Sequence, residues 1–96
     1  MKRVIAKLLL NETASLEFFK QCTQDLIVKS RAEDGNLSYD LYQHVEDSRT
    51  FLFVERYRDQ EALDTHFSSE HLSIFLTNVT SLLKTKPDIM VEDQHH

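Results

Sequence analysis

Residues 50–58, TFLFVERYR, constrain the fold most, because they are apolar on both faces of an extended chain. With alternating side chains, Phe51, Phe53, Glu55 and Tyr57 share one face, and Leu52, Val54 and Arg56 the other. Residues 3–10, RVIAKLLL, repeat the pattern: Val4, Ala6, Leu8 and Leu10 on one side, Ile5 and Leu9 on the other. A sheet built on two such strands needs cover on both faces. The 96 residues suffice for one domain, expected over 1–96. Helices are therefore expected on one face and a second copy of the sheet on the other.

The rest of the chain supplies those helices. Asn11, Thr13 and Ser15 offer capping oxygens. The segment from there to about Ala32 puts Leu16, Phe19, Thr23, Leu26 and Ile27 on one stripe. Glu33-Asp34-Gly35-Asn36 ends the helix, with the sole glycine expected in a left-handed C-terminal cap. Residues 37–45, LSYDLYQHV, alternate as a half-buried strand, with Leu37, Tyr39, Leu41 and Gln43 on one face and Ser38, Asp40, Tyr42 and His44 on the other, and the polar turn 46–49 joins it to 50–58 as a hairpin. Asp59 caps a helix over 60–67, and Ser68-Ser69 breaks it. A second helix, starting near His71, carries Leu72, Phe75, Leu76, Val79, Leu82 and Leu83 at helical spacing until Pro87 forbids its continuation. Residues 88–91 form a short last strand, and 92–96 read as a frayed tail, its His95-His96 either native or a tag remnant. The order strand–helix–strand–strand–helix–strand is the split βαβ arrangement, an α+β ferredoxin-like sandwich with one antiparallel sheet.

The net charge of −5, with signs interspersed, argues against a nucleic-acid partner and a polybasic membrane contact. No stretch is long enough to span a membrane. The lone Cys22 rules out an internal disulfide and a cysteine metal cluster; a reducing cytoplasm fits. It reads as a small buried hydrophobe rather than an activated thiol.

Three motifs then stand in order: the 33–36 turn with Tyr39 behind it; Phe53-x-Glu55-x-Tyr57; and Asp59-x-Glu61-Ala62-Leu63-x-x-His66 followed by Ser69-Glu70-His71. Together they resemble the antibiotic-biosynthesis monooxygenase (ABM) domain family, its small stand-alone quinol-monooxygenase-like members included. The resemblance covers nearly the whole chain. It implies a homodimer whose paired sheets form an α+β barrel, and an apolar pocket between sheet and helices. It also implies oxygenation of a quinol-like or polyphenolic aromatic by dioxygen with no cofactor. Metabolite isomerisation on the same scaffold, or a non-catalytic ligand-binding regulatory dimer, are the alternatives. Within the resemblance, haem degradation is disfavoured: the family's haem-degrading members imply a tryptophan beside the haem and a histidine iron ligand in the later helix, whereas this chain lacks tryptophan and has no histidine in Phe75-Leu76-Thr77-Asn78.

Cofactor-free oxygenation needs a base, hydrogen bonds that hold the substrate anion, and a dry pocket. His66, one turn after Ala62 and Leu63 on the apolar side of its helix, is the candidate base. A packed helix histidine is the plain alternative. Glu55, a carboxylate among aromatics, is the candidate group that orients His66 or a substrate hydroxyl, against a structural ion pair to Arg56, Arg58 or a partner chain. Tyr39 and Tyr57 are candidate phenolic donors, and His71 and Asn78 candidate polar contacts; each also suits a purely structural role. His44 is expected to face solvent. Metal binding is not expected: His66 and His71 are five apart across a helix break, and no i, i+4 histidine pair exists.

Overall fold

The computed structural model describes residues 1–94; His95 and His96 lie outside them. It contains β1 (Lys2–Leu9), α1 (Leu16–Arg31), β2 (Asn36–Gln43), β3 (Thr50–Tyr57), α2 (Gln60–Phe67), α3 (Glu70–Val79), a 3-10 turn over Thr80–Leu82, and β4 (Asp88–Asp93). The four strands form one sheet in the order β2-β3-β1-β4, antiparallel throughout. This is the ferredoxin-like α+β layout expected from the element order. No helix among the described residues is long and apolar enough to cross a membrane.

Each helix starts where a side-chain oxygen satisfies a free backbone donor. Ser15 accepts from the Phe18 N–H, Asp59 from Ala62 and Ser69 from Leu72. In α1, the buried residues Phe19, Thr23, Leu26 and Ser30 recur at intervals of three and four, one face of a helix. That face meets α3 and the sheet. Phe19 stacks at 4.7 Å from Phe51, and Phe75 of α3 meets Phe53 edge-on at 5.9 Å. Burying a Phe19 or Leu26 side chain is worth about 1.5–3 kcal/mol each, so this aromatic layer fixes the helices over one sheet face. The opposite face carries Ile5, Leu9, Leu52 and Val54, each half-buried in the single chain.

Four expectations are corrected. Gly35 has no positive φ. Glycine is needed there because α2 lies against it: a Cβ at Gly35 would stand 2.2 Å from the Ala62 Cβ. The helix expected to run toward Pro87 stops at Val79. Leu83 pairs with Leu10, and the Lys84 N–H donates to the Leu9 carbonyl at 2.8 Å, so this segment serves the sheet. The last strand reaches Asp93 rather than ending at 91, because Glu92 and Asp93 pair with Arg3 and Lys2 along β1. Leu37 is exposed, since β2 bulges between Asn36 and Ser38 and leaves it out of the ladder. His44 is exposed, as expected.

Candidate active site

Strand register lines up the first half of the site. Val4, Glu55 and Tyr39 sit opposite one another across β1, β3 and β2, and all three are buried beneath the helices. Glu55 is 4% exposed. The Tyr57 hydroxyl donates to its Oε1 at 2.7 Å. Burial disfavours the charged carboxylate and pushes Glu55 up to about 7; the Tyr57 hydrogen bond works against this, and the nearby Glu33 adds to it. Burial, then the Glu55 charge, pushes both the Tyr39 and Tyr57 phenols far above their ordinary range. Both therefore act as neutral hydrogen-bonding groups.

Helix α2 supplies the second half. Its inward positions are Ala62, Leu63 and His66. The His66 ring packs against Tyr57 at 5.2 Å and Tyr39 at 5.4 Å. Its Nε2 stands 3.7 Å from Glu55 Oε1, an electrostatic contact beyond hydrogen-bond range. Its Nδ1 lies 2.9 Å from Glu33 Oε2. A carboxylate only accepts, so Nδ1 carries the proton and Nε2 presents a lone pair toward Glu55. Burial lowers the His66 pKa, against the opposing pull of Glu33. The ring is therefore a neutral imidazole at neutral pH, held in one tautomer.

Glu33 was not among the candidates read from the sequence, where it serves only as part of a turn. It fastens both histidines: His71 Nε2 donates to the same Oε2 at 2.5 Å. Its Oε1 is buried and has no hydrogen-bond partner among the described residues. The signal that could have found it is the adjacent glycine. A glycine demanded by contact with α2 brings its neighbouring acid to that helix. The five-residue spacing that argues against His66 and His71 sharing a partner holds for one continuous helix. The break at Ser68 and Ser69 removes that constraint and brings the rings to 6.0 Å.

Glu55 and His66 line a cavity of about 220 Å³ together with Tyr39, Phe53, Leu8 and Phe75. Phe67, Leu76 and Ile89, all substantially exposed, form its apolar mouth between α3 and β4. Tyr57 does not line this cavity and reaches it only through Glu55. His71 faces a separate outer cleft with Glu33, Glu61 and Asp64. Asn78 is exposed on α3 and lines neither. At about 100° per residue it falls roughly 60–100° round from Phe75 and Val79, the centre of the buried face. The arrangement can take a proton from a small apolar ligand at His66 Nε2, with Glu55 close enough to stabilise the resulting cation.

A family model described as antibiotic biosynthesis monooxygenase matches residues 1–77. The chain is 34% identical over 74 residues to "Putative monooxygenase YcnE" of Bacillus subtilis, covering 77% of this chain and 78% of that one. The solved structure of Rv0793 from Mycobacterium tuberculosis superposes with a TM-score of 0.90 at 30% identity, covering 99% and 95% of the two chains. A crystal structure described as an antibiotic biosynthesis monooxygenase superposes with a TM-score of 0.92 at 26% identity over the full length of both chains.

Proposed function

The chain belongs to the antibiotic biosynthesis monooxygenase family, and from that premise we propose that it oxygenates a small quinol-like aromatic with dioxygen, without a cofactor, as a homodimer. The observation that carries this reading is His66: a buried neutral imidazole, anchored at Nδ1 by Glu33, in the wall of an apolar cavity.

In this mechanism His66 Nε2 removes a hydroxyl proton from the bound quinol. The imidazolium is stabilised by Glu33 at Nδ1 and by ionised Glu55 near Nε2. The quinolate is electron-rich enough to reduce dioxygen directly. One oxygen atom enters the ring and the other leaves as water, the substrate supplying all four electrons. For a hydroquinone, one quinol and one dioxygen give one hydroxyquinone and one water. The apolar walls exclude solvent from the anion.

Cavity size favours a compact substrate. A cavity of about 150 Å³ holds benzene, so the 220 Å³ here suits one substituted ring better than a polycyclic phenol. The dimer reading rests on the second sheet face. Ile5 lies between Val54 of β3 and Met90 of β4 in the register, and Met90 is 55% exposed. A second copy of this face is the natural cover.

The test is oxygen uptake with a panel of hydroquinones, with and without chelator. Uptake that follows protein concentration, survives chelation and yields the hydroxylated quinone is the expected outcome. A panel with no turnover would favour the non-catalytic ligand-binding reading.

A further inference from the structure

The loop residue Glu33 and the two histidines that flank the helix break form a cluster that proton transfer in the cavity does not fully use. We propose that Glu33, His66 and His71 form a binding site for a divalent transition metal of the zinc type, whose occupancy switches His66 from proton acceptor to proton donor. The activity part of this proposal rests on the function argued above; the binding part does not.

The donor set fits. One ligand atom from each residue, two imidazole nitrogens and a carboxylate oxygen, all lie within 4.8 Å of one another. Two histidines and a glutamate, with water in the fourth position, are a set zinc accepts. Tetrahedral bonds of about 2.0–2.1 Å place donors roughly 3.3–3.5 Å apart. The separations of 2.9 Å and 2.5 Å from Glu33 Oε2 need to open by about 1 Å or less, and the two imidazole nitrogens, within 4.8 Å of each other, need to come to the same spacing. The Glu33 side chain is only 10% exposed, and its Oε1 is buried with no partner among the described residues. A cation engaged by both oxygens of the carboxylate would remove the cost of leaving Oε1 buried without a donor. Access exists too: the outer cleft at His71 is lined by Glu61 and Asp64, which attract a cation from solvent.

Binding moves protons within the imidazoles. To offer Nδ1 to a metal, neutral His66 must carry its proton on Nε2, and His71 must likewise shift its proton from Nε2 to Nδ1. No proton need be released. The nitrogen of His66 that faces Glu55 then becomes an N–H donor and can no longer accept a substrate proton. Metal and base catalysis are thus mutually exclusive at one ring.

The experiment titrates Zn2+ into the metal-stripped full-length chain by isothermal calorimetry. His95 and His96 are both replaced by Ala, because two adjacent histidines bind zinc by themselves. The expected result is one equivalent bound, with Glu33→Gln and His71→Ala each weakening affinity at least about tenfold, as loss of a direct ligand should. Circular dichroism checks that both variants remain folded. No binding at micromolar Zn2+, or an affinity in either variant equal to the parent's, overturns the site. Turnover of the hydroquinone should fall in step with occupancy and return with chelator. Unchanged turnover at saturating Zn2+ overturns the switch. If the metal-free protein turns over nothing, the proposed function fails, and the titration alone decides the site.

Discussion

Glu33 and His66, far apart in sequence, meet through a 2.9 Å contact between a loop carboxylate and the Nδ1 of a buried imidazole. The contact determines which ring nitrogen keeps the proton and aims the other at Glu55 beside the cavity. An unanchored imidazole would divide itself between two tautomers and several ring angles.

Glu33→Gln tests this positioning. The neutral amide accepts a weaker hydrogen bond and carries no charge, so the His66 pKa, already lowered by burial, should fall further. Histidine ring signals followed by NMR across pH would report the shift. Turnover should fall about 10–100-fold, with Glu33→Asp recovering part of it. An unmoved His66 titration would remove Glu33 from the mechanism.

His66→Ala should cost at least about a hundredfold in turnover, the usual contribution of a positioned base. The cavity left by the ring should also lower stability by about 1–3 kcal/mol. Oxygen uptake per folded molecule, alongside a melting curve, separates the two effects. Undiminished specific activity in a destabilised protein would make His66 a packing residue.

The pH dependence of stability carries opposite signs from two groups. Glu55 has its folded pKa raised from 4.5 to about 7, so the folded state holds the extra proton in that window. Its contribution is complete below about 4.5 and is lost as pH rises through about 7. His66 has its pKa lowered, so its contribution is present above about 6.5 and is lost as pH falls through the depressed value. Glu55→Gln keeps the Tyr57 contact and removes the ionisation. Urea unfolding should find this variant more stable than the parent above pH 7, by up to a few kcal/mol, with the advantage vanishing toward pH 4.5. Equal pH profiles would mean that Glu55 is not buried as described.

Ile5→Glu or Val54→Glu should turn a dimer into a monomer, since either places a charge at the centre of the second sheet face. Light scattering at micromolar concentration should give about twice the chain mass for the parent and the chain mass for the variants. A parent that runs as a monomer would leave the apolar outer face without its explanation.

Gly35→Ala should destabilise, because the added methyl group meets the Ala62 side chain at 2.2 Å. The cost expected of such overpacking is about 1–3 kcal/mol. Adding Ala62→Gly should restore much of it, less about 1 kcal/mol for glycine inside a helix. Additive losses in the double variant would argue against the contact.

Periodicity was enough to reveal the order of strands and helices along the chain and the buried helix faces, because burial on one or two faces leaves a direct mark on the sequence. Glu55 and His66 were legible for the same reason: each is a polar residue in an apolar row. Glu33 was not, since an acid in a polar turn looks like any other, and its burial comes from α2 docking on Gly35. Asn78 and Tyr57 do not line the cavity, for a related reason. Sharing a helix side or a strand face with a candidate residue does not place a side chain at the same depth or distance. The end of α3 was overestimated because Leu82 and Leu83 keep helical spacing while the backbone around them has turned to serve the sheet.

The break at Ser68 and Ser69 also makes the site sensitive to chain length. In a continuous helix, residues five apart lie roughly 140° apart around the axis and about 7.5 Å along it, too far for His66 and His71 to share one carboxylate oxygen. Here the break separates the two helices, and the residues between them decide how the start of α3 lies against Glu33. Inserting or deleting one residue at 68–69 would shift His71, in the first turn of α3, away from the Glu33 oxygen even if both helices still docked on the sheet. Among relatives with this fold, the length of this hinge would then distinguish chains that can close the cluster from chains that share only the architecture.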